Sequence, residues 1–287
     1  MQSFAQKGRP SMPLYRVKDW DNAYTNGANI AGGEAWPGLW IEAAERFRKD
    51  MQAQGQVKLN LRYGDQPRNL FDLFLPVDAP LGLVVLIHGG YWVSTDKSYW
   101  SHLAAGPVAH GYAVAMPSYT LCPDIRLAGI TREIGAAIGA AARMIAGPIR
   151  LVGHSAGGHL ATRMITADHP LPQIMQERIV HTVSLSGLHD LRPLMYTEMN
   201  HQLRIDEAEA KAESPALLRP ATGTRLTCWV GGAERAEFRR QSALLANIWT
   251  GLGAITEAIE EPDRHHFNVV DGLLQPDHPL TRTLMAD

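Results

Sequence analysis

Cysteine is scarce in this chain, and long apolar runs are absent. Only Cys122 and Cys228 occur among 287 residues, far apart and outside any CxxC or Cys/His cluster. That excludes a disulfide scaffold and gives no zinc-ligand spacing, so both thiols are expected reduced and buried, and no metal ligand is assigned. The apolar run Leu83–Ile87 is far too short to span a bilayer. The first twenty residues, MQSFAQKGRPSMPLYRVKDW, lack the apolar segment of a secretory leader. A cytoplasmic protein without membrane contact is the expectation. Lys and Arg are scattered and the net charge is only −2, which leaves no electrostatic footprint for nucleic acid. A homodimer is the expected oligomeric state, without a residue-level reason.

What is present is apolar patterning. At 45% hydrophobic residues, the chain can bury a large core, and one domain over 1–287 is expected. Residues 1–33, rich in Asn, Gly and Pro, read as an extended arm. Residues 35–54 carry Leu39, Ala43, Phe47 and Met51 at helical spacing. Two short alternating runs, 57–61 and 70–75, flank the turn-rich YGDQPRN and predict an antiparallel hairpin. Continuous apolar runs then alternate with helical segments. The runs are Leu83–Ile87, 112–116, 149–152, Ile179–Leu185, 226–230 and 254–259. The helical segments are 98–110, 124–146, 156–167 and 235–250. Continuous apolar strands suit a parallel sheet covered on both faces, so the predicted class is α/β, a mostly parallel doubly wound sheet. Residues 188–220 interrupt the alternation with a more polar insertion, read either as a lid or pocket wall or as a solvated excursion.

The chemistry concentrates at strand ends. GHSAGG, residues 153–158, follows an apolar run and precedes helix formers, the arrangement of a nucleophile elbow. A sharp turn there exposes Ser155 at the sheet edge and at a helix N-terminus, where developing negative charge is favoured. Gly153, Gly157 and Gly158 make room for the neighbouring strand and helix. Earlier, Leu83–Ile87 runs into His88-Gly89-Gly90-Tyr91-Trp92. A glycine-rich loop after a neighbouring strand offers backbone donors for an oxyanion, here the N–H groups of Gly90 and Tyr91 with that of Ala156.

A serine hydroxyl needs a base and an orienting acid, in the chain order Ser, Asp/Glu, His. After the run 226–230 comes GGAERAEF. Glu234 follows the Gly231-Gly232 turn, and Glu237, in the first turn of the next helix, is its rival. After the last apolar run comes EPDRHHFNVVDGL, so His266 or His265 is the base. His88 and His154 read as loop braces that hydrogen-bond the backbone. Trp92 and Tyr119 stand near the oxyanion loop, either as walls against a substrate or as packing for the loop. The triad chemistry needs no cofactor.

In order, HGGYW, GHSAGG, GGAERAEFRRQS and HHFNVVDGL resemble the α/β-hydrolase superfamily. Within it they are similar to kynurenine formamidase (arylformamidase) type esterases, related to hormone-sensitive-lipase-like carboxylesterases. SYTLCPD, DNAYTNGAN and YGDQPRNLFDLFLP look like the same group, so the resemblance runs from about residue 20 to 275. Its acid, followed by Phe and then Gln-Ser, falls on Glu234 with Phe238, Gln241 and Ser242. Its His-Phe pair falls on His266 and Phe267. Most such formamidases carry Asp where this chain has Glu, which is one methylene longer and still able to orient an imidazole. The resemblance implies a serine hydrolase of small acyl groups, an arylformamidase or a short-chain carboxylesterase. The different-class alternative is a non-catalytic α/β-hydrolase that binds a small ligand. Such proteins tend to lose a triad member, and all three are present here.

Overall fold

A computed structural model of the chain describes residues 16–286. Eight strands form one sheet: β1 (Val57–Arg62), β2 (Leu70–Phe74), β3 (Leu83–Ile87), β4 (Ala113–Pro117), β5 (Ile149–His154), β6 (Ile179–Leu185), β7 (Arg225–Gly231) and β8 (Ile255–Glu261). Their order is β1-β2-β4-β3-β5-β6-β7-β8. β1 and β2 form the antiparallel hairpin, and β2 is antiparallel to β4. All other neighbours are parallel.

The continuous apolar strands divide their side chains between two cores, because successive residues point to opposite faces. Leu83, Val85 and Ile87 of β3 join one cluster, and Val84 and Leu86 join the other. The first cluster takes Leu127, Ile130, Ile134 and Ile138 from α2 (Leu127–Met144), Leu160 from α3 (Ala156–Arg163), and Phe238, Leu245 and Trp249 from α4 (Ala236–Thr250). The second takes Trp40 and Met51 from α1 (Trp36–Ala53), and Leu280 and Leu284 from the C-terminal helix Pro279–Met285. Helices on both faces make the parallel strands dry and continuous. Only β8, at the edge, keeps a mostly exposed pattern.

Three segments differ from the reading of the sequence. The span 98–110 is not one helix: it breaks into 3₁₀ turns at Lys97–Tyr99 and Ser101–Ala104 and a short helix, Ala105–Ala109. Pro107, which has no N–H to donate, caps how far the 3₁₀ segment can extend as α-helix. The arm is not extended where the structure describes it. Trp20–Tyr24 is a helical turn capped by the Asp19 carboxylate, followed by 3₁₀ turns at Gly27–Asn29 and Gly33–Ala35. Residues 1–15 lie outside the described residues. The insertion 188–220 is not a solvated excursion, since Leu188, Leu191, Leu194, Leu203 and Ile205 are buried in the first cluster. It is tied down by Glu213, which accepts from the Thr131 hydroxyl of α2 at 2.7 Å and from Arg163 Nε of α3 at 3.0 Å. No helix of the described residues is long and apolar enough to cross a membrane.

Candidate active site

Ile87 pairs with Gly153, Gly153 with Ser184, and Leu185 with Trp229. The loops after β3, β5, β6, β7 and β8 therefore emerge at one edge, outside the carboxyl ends of the parallel strands, where open α/β sheets bind their ligands.

Ser155 sits between β5 and α3 with φ +57° and ψ −117°, a backbone that L-residues rarely adopt. The flanking glycines explain how the turn closes. A Cβ on Gly153 would stand 2.0 Å from Gly157 O, and one on Gly157 2.0 Å from Ile87 O. Ser155 is 2% exposed, and its hydroxyl finds no hydrogen-bond partner among the described residues. The loop after β3 lies directly against it: a Cβ on Gly89 would be 3.2 Å from Ser155 Cβ. Gly90, Tyr91 and Trp92 follow with φ of +109°, +50° and +58°. The turn is closed by Val93 N–H and Ser94 N–H, each donating to Gly90 O at 3.0 Å. Ala156 opens α3, so its N–H has no intrahelical acceptor.

Glu234 and His266 meet across the loops after β7 and β8. His266 Nδ1 donates to Glu234 Oε2 at 2.7 Å, with both residues buried. The other carboxylate oxygen accepts from Gly231 N–H at 2.8 Å and from the Ser186 hydroxyl. The Phe238 ring packs 4.4 Å from the His266 ring and holds it from the side. The rivals are placed elsewhere. Glu237 accepts from the Tyr24 hydroxyl at 3.0 Å and pairs with Arg240 at 2.7 Å. His265 packs edge-on against Trp36, centroids 5.2 Å apart, and accepts from Phe267 N–H and Asn268 N–H.

His154 braces His266, as a donor from Nε2 to its carbonyl at 2.9 Å. Burial, then the neighbouring His266, holds its imidazole well below the usual histidine range, so it stays neutral beside His266. His88 is buried, its Nδ1 2.8 Å from the Gly89 carbonyl, and its ring stacks on Tyr119 at 4.3 Å. Trp92 and Tyr119 are both 0% exposed. Trp92 packs edge-on to His159, and Tyr119 donates its hydroxyl to the His88 carbonyl at 3.1 Å, so both secure the loop.

Two contributors escaped the reading of the sequence. Ser186, at φ +51° just past β6, carries no motif, because its role exists only through strand adjacency. The second is the arm. Tyr91 donates its hydroxyl to the Tyr24 carbonyl and accepts from Asn26 Nδ2 at 2.8 Å, which ties the arm to the oxyanion loop. Removing the Ser186 hydroxyl deprives a buried carboxylate of a charge-assisted hydrogen bond, worth about 1.5 kcal/mol or more. Ser186→Ala is therefore expected to lower kcat roughly tenfold with little change in KM. Steady-state kinetics check this, and an unchanged kcat would remove Ser186 from the orientation of Glu234.

Burial of uncharged histidines gives the fold an acid limit. Burial pushes His88 down to about 4, and His159 and His189 to about 3. Each is depressed from an unfolded value of about 6.5, so the stability they contribute is full above that value and is lost as the pH falls towards 4 and then 3. Asp271, raised by burial to about 6, works in the opposite direction, but it is outnumbered by the buried histidines, since burial also pushes His102 and His181 down to about 4. The melting temperature is thus expected to fall steadily from pH 7 to pH 4. A calorimetric Tm that stays flat over that range would contradict it.

The matches with known proteins agree with this fold. The strand order, the elbow and the loop cluster define an α/β-hydrolase, a hydrolase by class. The BD-FAE family matches residues 71–214, just over half of the chain, and the chain belongs to that family. It is 28% identical over 256 residues to kynurenine formamidase of Salmo salar, covering 85% of both chains. A crystal structure from Silicibacter, provisionally assigned as a thioesterase, shares 45% identity with TM-score 0.89, covering 93% of this chain and 98% of that one. A Pyrobaculum calidifontis esterase shares the fold at 15% identity and TM-score 0.68, over 88% of this chain and 90% of that one.

Proposed function

We propose that the chain is a serine hydrolase of small acyl groups, acting on an aryl formamide of the N-formylkynurenine type. The observation that carries the reading is the buried Glu234–His266 hydrogen bond of 2.7 Å, together with a strained Ser155 whose hydroxyl has no partner among the described residues. In the proposed mechanism Ser155 Oγ attacks the formyl carbon as His266 Nε2 takes its proton. Glu234 keeps Nδ1 protonated and stabilises the imidazolium. The N–H groups of Gly90, Tyr91 and Ala156 receive the oxyanion. The C–N bond breaks as His266 returns the proton to the leaving amine. Water, deprotonated by the same imidazole, then releases formate from the acyl-enzyme and restores Ser155.

The formamide is favoured over a general ester because kynurenine formamidases of Salmo salar, Danio rerio and Drosophila melanogaster align over 80–94% of the chain, whereas the matched isoprenylcysteine methylesterase of Arabidopsis thaliana covers 49% of it. The provisional thioesterase relative supports a second reading, short-chain esters or thioesters. A cytoplasmic location and a homodimer accompany the main reading as proposals; sedimentation velocity tests the latter.

The test compares N-formylkynurenine with p-nitrophenyl acetate and butyrate. A kcat/KM for the formamide near or above the ester values is expected. Fast ester cleavage without formamide turnover would replace the reading with a short-chain esterase. No turnover of any of them would return it to a ligand-binding protein.

A further inference from the structure

Arg235 stands next to Glu234 in sequence and lines the same small cleft. Its walls are Asn26, Asn29 and Ile30 of the arm on one side and Ala233, Glu234, Arg235, His265 and His266 on the other. The arginines around it are all committed. Arg239 pairs with Glu260 at 2.8 Å, Arg240 with Glu237 at 2.7 Å, and Arg264 with Glu261 at 3.0 Å. Arg235 has no carboxylate partner among the described residues. Its one hydrogen bond runs from Nη2 to the Asn22 carbonyl at 3.0 Å. Its Nε is buried without an acceptor.

Nor do the nearby acids neutralise it. Both oxygens of Glu234 are taken, by His266 on one side and by Ser186 and Gly231 N–H on the other. Glu237 is occupied by Tyr24 and Arg240. The arm side of the cleft offers amides and an isoleucine, with no charge. A guanidinium is a rigid fork of donors that suits a carboxylate, and a desolvated N–H without an acceptor is costly until a ligand supplies one. The tether to Asn22 fixes the fork without cancelling its charge.

We propose that Arg235 is a specificity residue that binds a carboxylate on the leaving-group side of the substrate, so that the preferred substrate class is an acyl amide or ester whose leaving group carries a carboxylate. This rests on Ser155 being the nucleophile of the same site. The carboxylate lies away from the scissile bond, at the exposed side of the Arg235 guanidinium, since the cleft itself, at about 10 Å³, holds no more than a water. It contributes to binding and takes no part in bond making.

The experiment uses two readouts on the full chain. The first is the ratio of kcat/KM for N-formylkynurenine to that for its primary carboxamide, which is nearly isosteric and lacks the anion. A charged hydrogen-bonded contact predicts a ratio of roughly 10–100 in the wild type. Arg235→Gln is expected to bring the ratio close to one through KM. Arg235→Lys, which keeps the charge without the fork, should retain part of it. The wild-type preference should also shrink as ionic strength rises. The second readout is inhibition of p-nitrophenyl acetate hydrolysis by kynurenine against kynurenine carboxamide, which needs no formamide turnover. Selectivity for the acid that vanishes in Arg235→Gln supports the assignment. Equal inhibition by both in the wild type, or selectivity retained in Arg235→Gln, overturns it while leaving the serine hydrolase reading intact. Absence of ester turnover in the wild type overturns that reading, and this inference with it. Thermal melts of both variants establish that they are folded.

Discussion

Ser155→Ala is expected to lower kcat by roughly 10⁶-fold on every substrate, the scale of losing a nucleophile that acts as a unit with its base. Labelling by a fluorophosphonate should disappear with it. The fold should survive, for a specific reason. The Ser155 hydroxyl is buried and makes no hydrogen bond among the described residues, so removing it strands no partner there and relieves the desolvation of an unpaired polar group, a gain of about 1 kcal/mol or more. Alanine meets the same backbone constraint at φ +57°, because the strain acts through Cβ and Cβ is unchanged. The paired expectation is an inactive protein whose Tm is equal to or above that of the wild type. Activity or labelling within tenfold of wild type would remove Ser155 as nucleophile. A large drop in Tm would mean that the hydroxyl has a structural partner.

Glu234→Gln should cost about 10⁴-fold in kcat, because the amide NH₂ disfavours the Nδ1-protonated tautomer and carries no charge to stabilise the imidazolium. The neighbouring Glu237→Gln is the control that separates catalysis from packing. Glu237 is 1% exposed and holds Tyr24 and Arg240. Its neutralisation weakens a buried charged hydrogen bond, a loss of about 2 kcal/mol of stability, and should leave kcat within a few-fold. Kinetics and thermal melts on the two variants give opposite signatures: one loses rate, the other loses stability. If Glu237→Gln lost the rate and Glu234→Gln kept it, the acid would have been assigned to the wrong residue.

Most of the sheet was legible because its signal is local. Leu83–Ile87 and Ile179–Leu185 are strands with the bounds the apolar runs suggest, and the hairpin and α1, α2 and α4 fall within a few residues of their expected spans. Strands buried on both faces need unbroken apolar residues, and helices on a core need apolar residues every three or four. The span 98–110 read as one helix because its composition allows it; Pro107 and the packing of its turns decided otherwise. Trp92 and Tyr119 were open alternatives in the sequence. Proximity to a loop does not say how a ring is buried, and both rings are 0% exposed.

The sequence by itself determined the α/β class, the elbow, the glycine-rich loop and the chain order of a serine, an acid and a histidine. Each is a requirement of backbone sterics or of strand and helix periodicity, and such requirements act between residues close in the chain. Only the tertiary structure decided which acid and which histidine meet. It also brought Ser186 to the carboxylate, hung Tyr91 on Tyr24 and Asn26, and tied Arg235 to Asn22 beside the cleft. Those contacts join residues 48, 65, 67 and 213 positions apart. Their partners are chosen by strand order and by the docking of the arm, and no short-range pattern encodes either.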